Sequence, residues 1–227
     1  MLLTQIRHNV TNQLNDIKVF YEYFEDKLAI SETETKKDNL EKVIVCNLPC
    51  ENIWVYENEA YQNKAILHEQ RGAFASASVK VEKTILYKKD YKLYAFLIEM
   101  KTSMTAKQFS NCKDKIEQSL STLSVFIAAH TDLPTFKNTE LVPIGVLCYS
   151  YDEVEIHGFS DKSSTQPTFY QHFTTTKGND MKITVEPVSL QPYRIPIVFC
   201  QNPNQSPVTN AFEIDFQDIL KRATTIP

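Results

Sequence analysis

Leu93-Tyr-Ala-Phe-Leu-Ile-Glu-Met-Lys-Thr-Ser103, with the helical run that follows it to His130, is the stretch on which the fold turns. From Leu93 to Met100 the run is apolar apart from Glu99, the pattern of a strand buried on both faces. Side chains alternate along a strand, so Glu99 and Lys101 share one face with Leu97 while Ile98 and Met100 point the other way. A carboxylate inside such a strand requires a compensating group.

Val79 to Tyr87 reads as a second strand, and the polar Lys88-Lys-Asp-Tyr-Lys92 between the two as a hairpin loop. Folding the pair about Asp90 and Tyr91 sets Glu82 opposite Glu99, with both carboxylates on a shared face. Like charges at that separation repel strongly at low dielectric, so a divalent cation, Lys101 or a shared proton must neutralise them. Mg²⁺ or Mn²⁺ suits the position, because hard ions are held by one or two carboxylates together with waters and phosphate oxygens.

Glu99-Met-Lys101 at the end of an apolar strand, an acid on the preceding hairpin strand and a long amphipathic helix afterwards resemble the PD-(D/E)xK, or restriction-endonuclease-like, nuclease superfamily over roughly residues 60 to 150. The resemblance implies metal ligation by Glu82 and Glu99, with Lys101 as the third catalytic residue, positioning or activating the attacking water. It also implies a basic or amide contact to substrate phosphate from the helix, for which Lys107 and Gln118 stand on the wetter side. Glu82 occupies the slot usually held by Asp, 17 positions before Glu99, and the Pro-Asp dipeptide is absent. Two further Glu-x-Lys triplets, Glu25-Asp-Lys27 and Glu34-Thr-Lys36, lack the strand and helix context. Two readings stay open: a metal-dependent nuclease cutting DNA, or a catalytically inactive subunit of the same fold that serves as an interaction module in a larger nucleoprotein or defence complex.

Composition sets bounds on both. At 227 residues, 42% hydrophobic and 23% charged, the chain can bury a sizeable core. Its net charge of −4 argues against binding nucleic acid by bulk electrostatics, leaving only a local basic patch. Lys80, Lys83, Lys88, Lys89 and Lys92 around the hairpin, with Arg71, Lys101, Lys107, Lys113 and Lys115, are expected to make positive charge densest next to the candidate site. Five cysteines without zinc-type spacing read as free thiols of a cytoplasmic protein, and no apolar run approaches a membrane span. Four glycines exclude a glycine-rich phosphate loop or a dinucleotide fingerprint.

Outside the central stretch, Leu3, Ile6, Val10, Leu14, Ile17, Tyr21, Phe24 and Leu28 recur at steps of three and four, predicting one amphipathic helix over residues 2 to 29. Its stripe can pack on the core, on a protein partner or on a second copy as a homodimer. Residues 31 to 39 form a polar loop; Val43 to Cys46 and Ile53 to Tyr56 are short strands, and Glu57 to Gln70 a helix that offers His68 or Glu69 to the site. Thr131 to Glu140 is a loop, and Leu141 to Tyr149 a buried strand whose order after the helix fits a βαβ crossover beside the Glu99 strand. Beyond Tyr151, polar segments separate strands at Met181 to Val188 and Ile195 to Cys200, with a closing strand or helix at Phe212 to Arg222. Aromatics between 151 and 199 read as core or interface residues rather than base-stacking platforms. The expected architecture is α/β, a mixed central β-sheet flanked by helices. It comprises an N-terminal helix over 1–30, a restriction-endonuclease-like core over 38–150 and a β-rich extension over 151–227 packed on that core.

Overall fold

A computed structural model describes residues 2–14, 20–31, 40–57, 80–104, 106–152, 180–187, 192–203 and 211–226, with the backbone alone for 11–14, 106, 107, 133, 136, 151, 152 and 193. In chain order the elements are α1 (Leu2–Leu14), β1 (Phe20–Tyr23), β2 (Leu28–Ser31), β3 (Lys42–Cys46), β4 (Ile53–Tyr56), β5 (Lys83–Lys89) and β6 (Lys92–Met104). There follow α2 (Ala106–His130), α3 (Leu133–Lys137), β7 (Glu140–Asp152), β8 (Met181–Val185), β9 (Tyr193–Gln201), β10 (Ala211–Asp215) and α4 (Phe216–Thr225).

The chain is α/β, and its main sheet is mixed. Seven strands run in the order β1-β4-β5-β6-β7-β9-β8, and a second sheet runs β10-β3-β2. β4, β5 and β6 form an antiparallel meander, α2 crosses over, and β7 returns parallel to β6 with Glu99 beside Leu147. The β5–β6 turn closes at Lys89 and Lys92 about Asp90 and Tyr91. Asp90 there has φ 54°, a left-handed conformation that Asp tolerates better than most residues.

The alternation read from Leu93 to Lys101 separates two cores. Leu93, Ala95 and Leu97 face α1 and α2, where they join Phe126, Leu123, Ile116 and Phe109. Phe96, Ile98 and Met100 face the small sheet and α4, where Val43, Val45, Phe212, Phe216 and Ile219 meet them. The molecule therefore has three layers: helices, the seven-stranded sheet, and the small sheet with α4. Both faces of β6 are covered, as its near-continuous apolar run requires.

Three expectations are corrected. The N-terminal helix ends at Leu14, not near residue 29; Tyr21 pairs with Val55 in β1, Leu28 pairs with Val45 in β2, and Phe24 is 65% exposed. Phe20-Tyr-Glu-Tyr23 is aromatic-rich and finds a strand partner in β4, which wins over a helical spacing that aromatic side chains support poorly. Leu3, Ile6 and Val10 of the stripe, with Leu2 beside them, are buried against Phe20, Trp54, Phe126 and Ile127 of the same chain. Residues 131–140 are not wholly loop, since Leu133–Lys137 is a short helix whose start is held by Thr135 N donating to Asp132. The Phe212 to Arg222 segment is both strand and helix, β10 then α4, with the Asp215 carboxylate capping α4 through Asp218 N. The last third of the chain is woven in: β9 pairs parallel with β7 and β10 parallel with β3.

The expected helix at Glu57 to Gln70, with His68 and Glu69, lies outside the described residues beyond Glu57, as do the aromatics of 153–179. All five cysteines are free thiols. Among the described residues no helix is long and apolar enough to cross a membrane.

Gly145 sets how closely α2 approaches the sheet. It lies on β7 between Leu97 and Ile197, and a Cβ there would collide with Ile197 Cδ1 and meet Ile116 Cδ1 at 3.0 Å. Gly145→Ala is expected to cost about 1 kcal/mol, at the low end for overpacking because both obstacles are side-chain tips. Ile197→Val, which removes the colliding methyl, should abolish that cost in the double variant, as read from urea unfolding of all four proteins.

Candidate functional site: a buried carboxylate pair bridged by lysine

Glu99 leaves β6 on the α2 side and is 1% exposed. Glu82 immediately precedes β5, and extending the Lys83↔Ile98 register by one residue sets it opposite Glu99. Its backbone is tied to the helix, since the Val81 amide donates to Ser119 Oγ at 3.0 Å. Glu82 and Glu99 thus converge beneath α2.

The cation between them is Lys115. Its Nζ lies 2.7 Å from Glu99 Oε1 and 3.3 Å from Glu82 Oε1, bridging the two carboxylates. Lys101, on the same strand face as Glu99, also ion-pairs with Glu99 Oε1 and donates to the Met100 carbonyl at 3.0 Å. Two carboxylates and two ammoniums sum to zero charge. Glu99 Oε1 receives both cations, while Glu99 Oε2 is buried without a hydrogen-bond partner among the described residues. Side-chain exposure rises from 1% at Glu99 through 14% at Glu82 to about a fifth at each lysine, so the cluster opens to solvent on its basic side.

Electrostatics follow from this burial gradient. Desolvation raises Glu99 above the usual carboxylate range, with Lys101 and Lys115 pulling against it. Burial alone would lower Lys115, but the charges and hydrogen bonds of Glu99 and Glu82 outweigh it and hold the ammonium above an ordinary lysine. Burial pushes the neighbouring Cys112 thiol up to about 12, with the Glu99 charge adding to the rise, so Cys112 is packing rather than nucleophile.

The structure therefore brings together Glu82, Glu99 and Lys101. Gln118 sits half-buried one turn beyond Lys115 on α2, while the Lys107 side chain lies outside the described residues. Asp90 is at the hairpin tip. The hairpin lysines are also misplaced by the sequence reading: Lys88, Lys89 and Lys92 surround the tip, and Lys92 is seven residues from Glu99, about 23 Å along a strand. A hairpin carries its turn to the opposite end of the sheet from its open end, so those charges do not border the glutamates. Lys83 points to the other face, where it binds both Glu57 oxygens at 2.7 Å.

The sequence groups Lys115 with the regional positive charge and not with the site. Its signal was nevertheless present: it borders the stripe of Phe109, Cys112, Ile116 and Leu120, and the small residues Cys112 and Ser119 flank it at helical spacing, leaving space for a long side chain to reach the sheet.

Among the described residues no group of three or more His, Cys, Asp or Glu side chains is arranged to hold a metal ion. The two carboxylates are hard oxygen donors, and the cation between them is the Lys115 ammonium, with Glu99 Oε2 left without a partner among the described residues. Comparison of the chain with protein-family models, with curated proteins and with solved structures finds no match in any of the three.

Removing Glu99 strands two ammoniums, whereas removing Glu82 loses one longer contact. Glu99→Ala is expected to destabilise the fold by about 3 kcal/mol, the lower end for a broken buried pair because the lysine heads can lean toward water. Glu82→Ala should cost about 1 kcal/mol. In urea-unfolding double-mutant cycles, coupling of Lys115 to Glu99 should exceed its coupling to Glu82.

Proposed function

We propose that this chain is a metal-dependent nuclease-like protein that hydrolyses phosphodiester bonds in DNA, with Mg²⁺ or Mn²⁺ held by Glu82 and Glu99. The convergence of these two carboxylates from adjacent hairpin strands on a single cationic centre, with Lys101 alongside, is the observation that carries the reading. The antiparallel meander β4-β5-β6, the crossover helix α2 and the parallel return of β7 support the reading, since the resemblance implies a hairpin, helix and strand in this order.

A bound divalent cation would lower the pKa of a water and neutralise charge developing on phosphate. The chain's own residues do the rest. Glu99, locked in the sheet, fixes one ligand oxygen in a dry setting where electrostatic interactions are strong. Glu82, held to α2 through Val81 and Ser119, supplies the second from a more solvated side. Lys101 keeps its ammonium next to the carboxylates by a backbone hydrogen bond and orients the nucleophile there. Gln118 and Lys107, on the same helix, are the candidate phosphate contacts.

A second reading rests on Lys115. Because its ammonium already balances the carboxylates, the same fold can persist as a non-catalytic subunit, an interaction module of a nucleoprotein or defence assembly.

Incubating the purified protein with plasmid and single-stranded DNA in Mg²⁺ or Mn²⁺ separates the two. Cleavage is expected for the wild type, reduced by two to three orders of magnitude in Glu99→Gln and in Lys101→Met, with thermal melts confirming that both remain folded. No cleavage by the folded wild type would favour the interaction module, and undiminished cleavage by both variants would remove this cluster from the chemistry.

A further inference from the structure

We propose that Lys115 is the internal counter-cation of this site: its ammonium occupies the position between Glu82 and Glu99 that a divalent ion takes, and ion binding drives the Lys115 side chain out toward solvent. This rests on the reading that Glu82 and Glu99 hold the ion. It assigns to Lys115 a role that neither Lys101 nor Gln118 can fill.

Geometry places Lys115 there. Among the described residues it alone touches both carboxylates, at 2.7 and 3.3 Å, and it comes from a different element than either. Charge makes its departure necessary. The cluster is neutral with both lysines in place, and a divalent ion added without expulsion would leave two excess positive charges around a carboxylate that is 1% exposed. Both lysines are about one-fifth exposed, but Lys101 is also anchored by the Met100 carbonyl, 3.0 Å away, whereas among the described residues Lys115 hydrogen-bonds to the two carboxylates alone and loses its partners when an ion takes them.

A second feature points to a ligand beyond the lysines. Glu99 Oε2 is buried and unpartnered among the described residues even though two ammoniums crowd Oε1 of the same carboxylate. Buried carboxylate oxygens are normally satisfied, so the lysines neutralise this group without completing its coordination. A hydrated divalent ion brings several donors where an ammonium on a tether brings one direction of approach. The metal-free protein is thus stable as it stands, and its affinity for the ion is set by competition with its own side chain.

Two measurements on the full chain test this. Mn²⁺ binding, followed by the electron paramagnetic resonance of the free ion, should be about tenfold tighter or more in Lys115→Met than in the wild type, and lost in Glu99→Gln. In the wild type, acetylation of Lys115 by an N-hydroxysuccinimide ester, read by mass spectrometry against Lys113 as internal reference, should rise several-fold when Mn²⁺ is added. Equal or weaker Mn²⁺ binding by folded Lys115→Met, or unchanged Lys115 labelling while Mn²⁺ binds, would overturn the counter-cation role and leave the nuclease reading standing. Absence of Mn²⁺ binding in both proteins would overturn both. Displacement of Lys115 without DNA cleavage would support the present role and remove only the nuclease. Should Lys115→Met fail to fold by circular dichroism, the wild-type labelling decides alone.

Discussion

A carboxylate shut away from water keeps its charge only if a cation comes to it, and Glu99 is shut away almost completely. That constraint dictates the assembly around it. β6 carries Lys101 two residues on, on the same face, and α2 must lie close enough for Lys115 to descend onto the pair. The approach is possible because Gly145 on β7 presents no side chain beneath Ile116, the neighbour of Lys115. One missing methyl group in the sheet thereby helps bring an ammonium to the buried acid.

The three-layer build explains how an ionic cluster survives in such a greasy strand. Covering both faces of the central sheet excludes water, which raises the cost of every isolated charge and strengthens every paired one. The cluster lies under α2, between the apolar contacts of Leu97, Cys112, Ile116 and Leu147 and the solvent-facing lysine stems. Water reaches the lysines and Glu82 but not Glu99. A site of this kind is neutral at rest and polarised in direction, and among the described residues Glu99 Oε2 is its buried oxygen without a partner.

On the opposite face the small sheet and α4 close the second core, across the sheet from the cluster. Their assembly joins distant parts of the chain: β10 runs parallel to β3 although more than 160 residues separate them, and Arg222 of α4 pairs with Asp180 at 2.7 Å and donates to the Phe199 carbonyl at the same distance. These ties hold β9 in register with β7, and through it the Gly145 seat on which α2 rests.

Much of this was legible in the amino-acid order because it depends on local periodicity. Alternation from Leu93 to Lys101 determined which side chains share a face, the polar break at Asp90 determined the hairpin and hence the opposition of residues 82 and 99, and the stripe from Phe109 to Ile127 determined α2 and its buried side. Tertiary structure alone decided the rest. Whether Phe20 to Tyr23 is helix or strand depends on an available edge at β4, and whether β3 and β4 share a sheet depends on β10, which lies far along the chain. Helical spacing leaves Lys115 room to reach the sheet, but whether its ammonium lands on Glu99 depends on how deeply α2 seats over a glycine, a matter of a few ångströms set by packing. Periodicity specifies direction from a backbone, whereas contact between elements is set by packing, and the charge balance of this site is a property of contact.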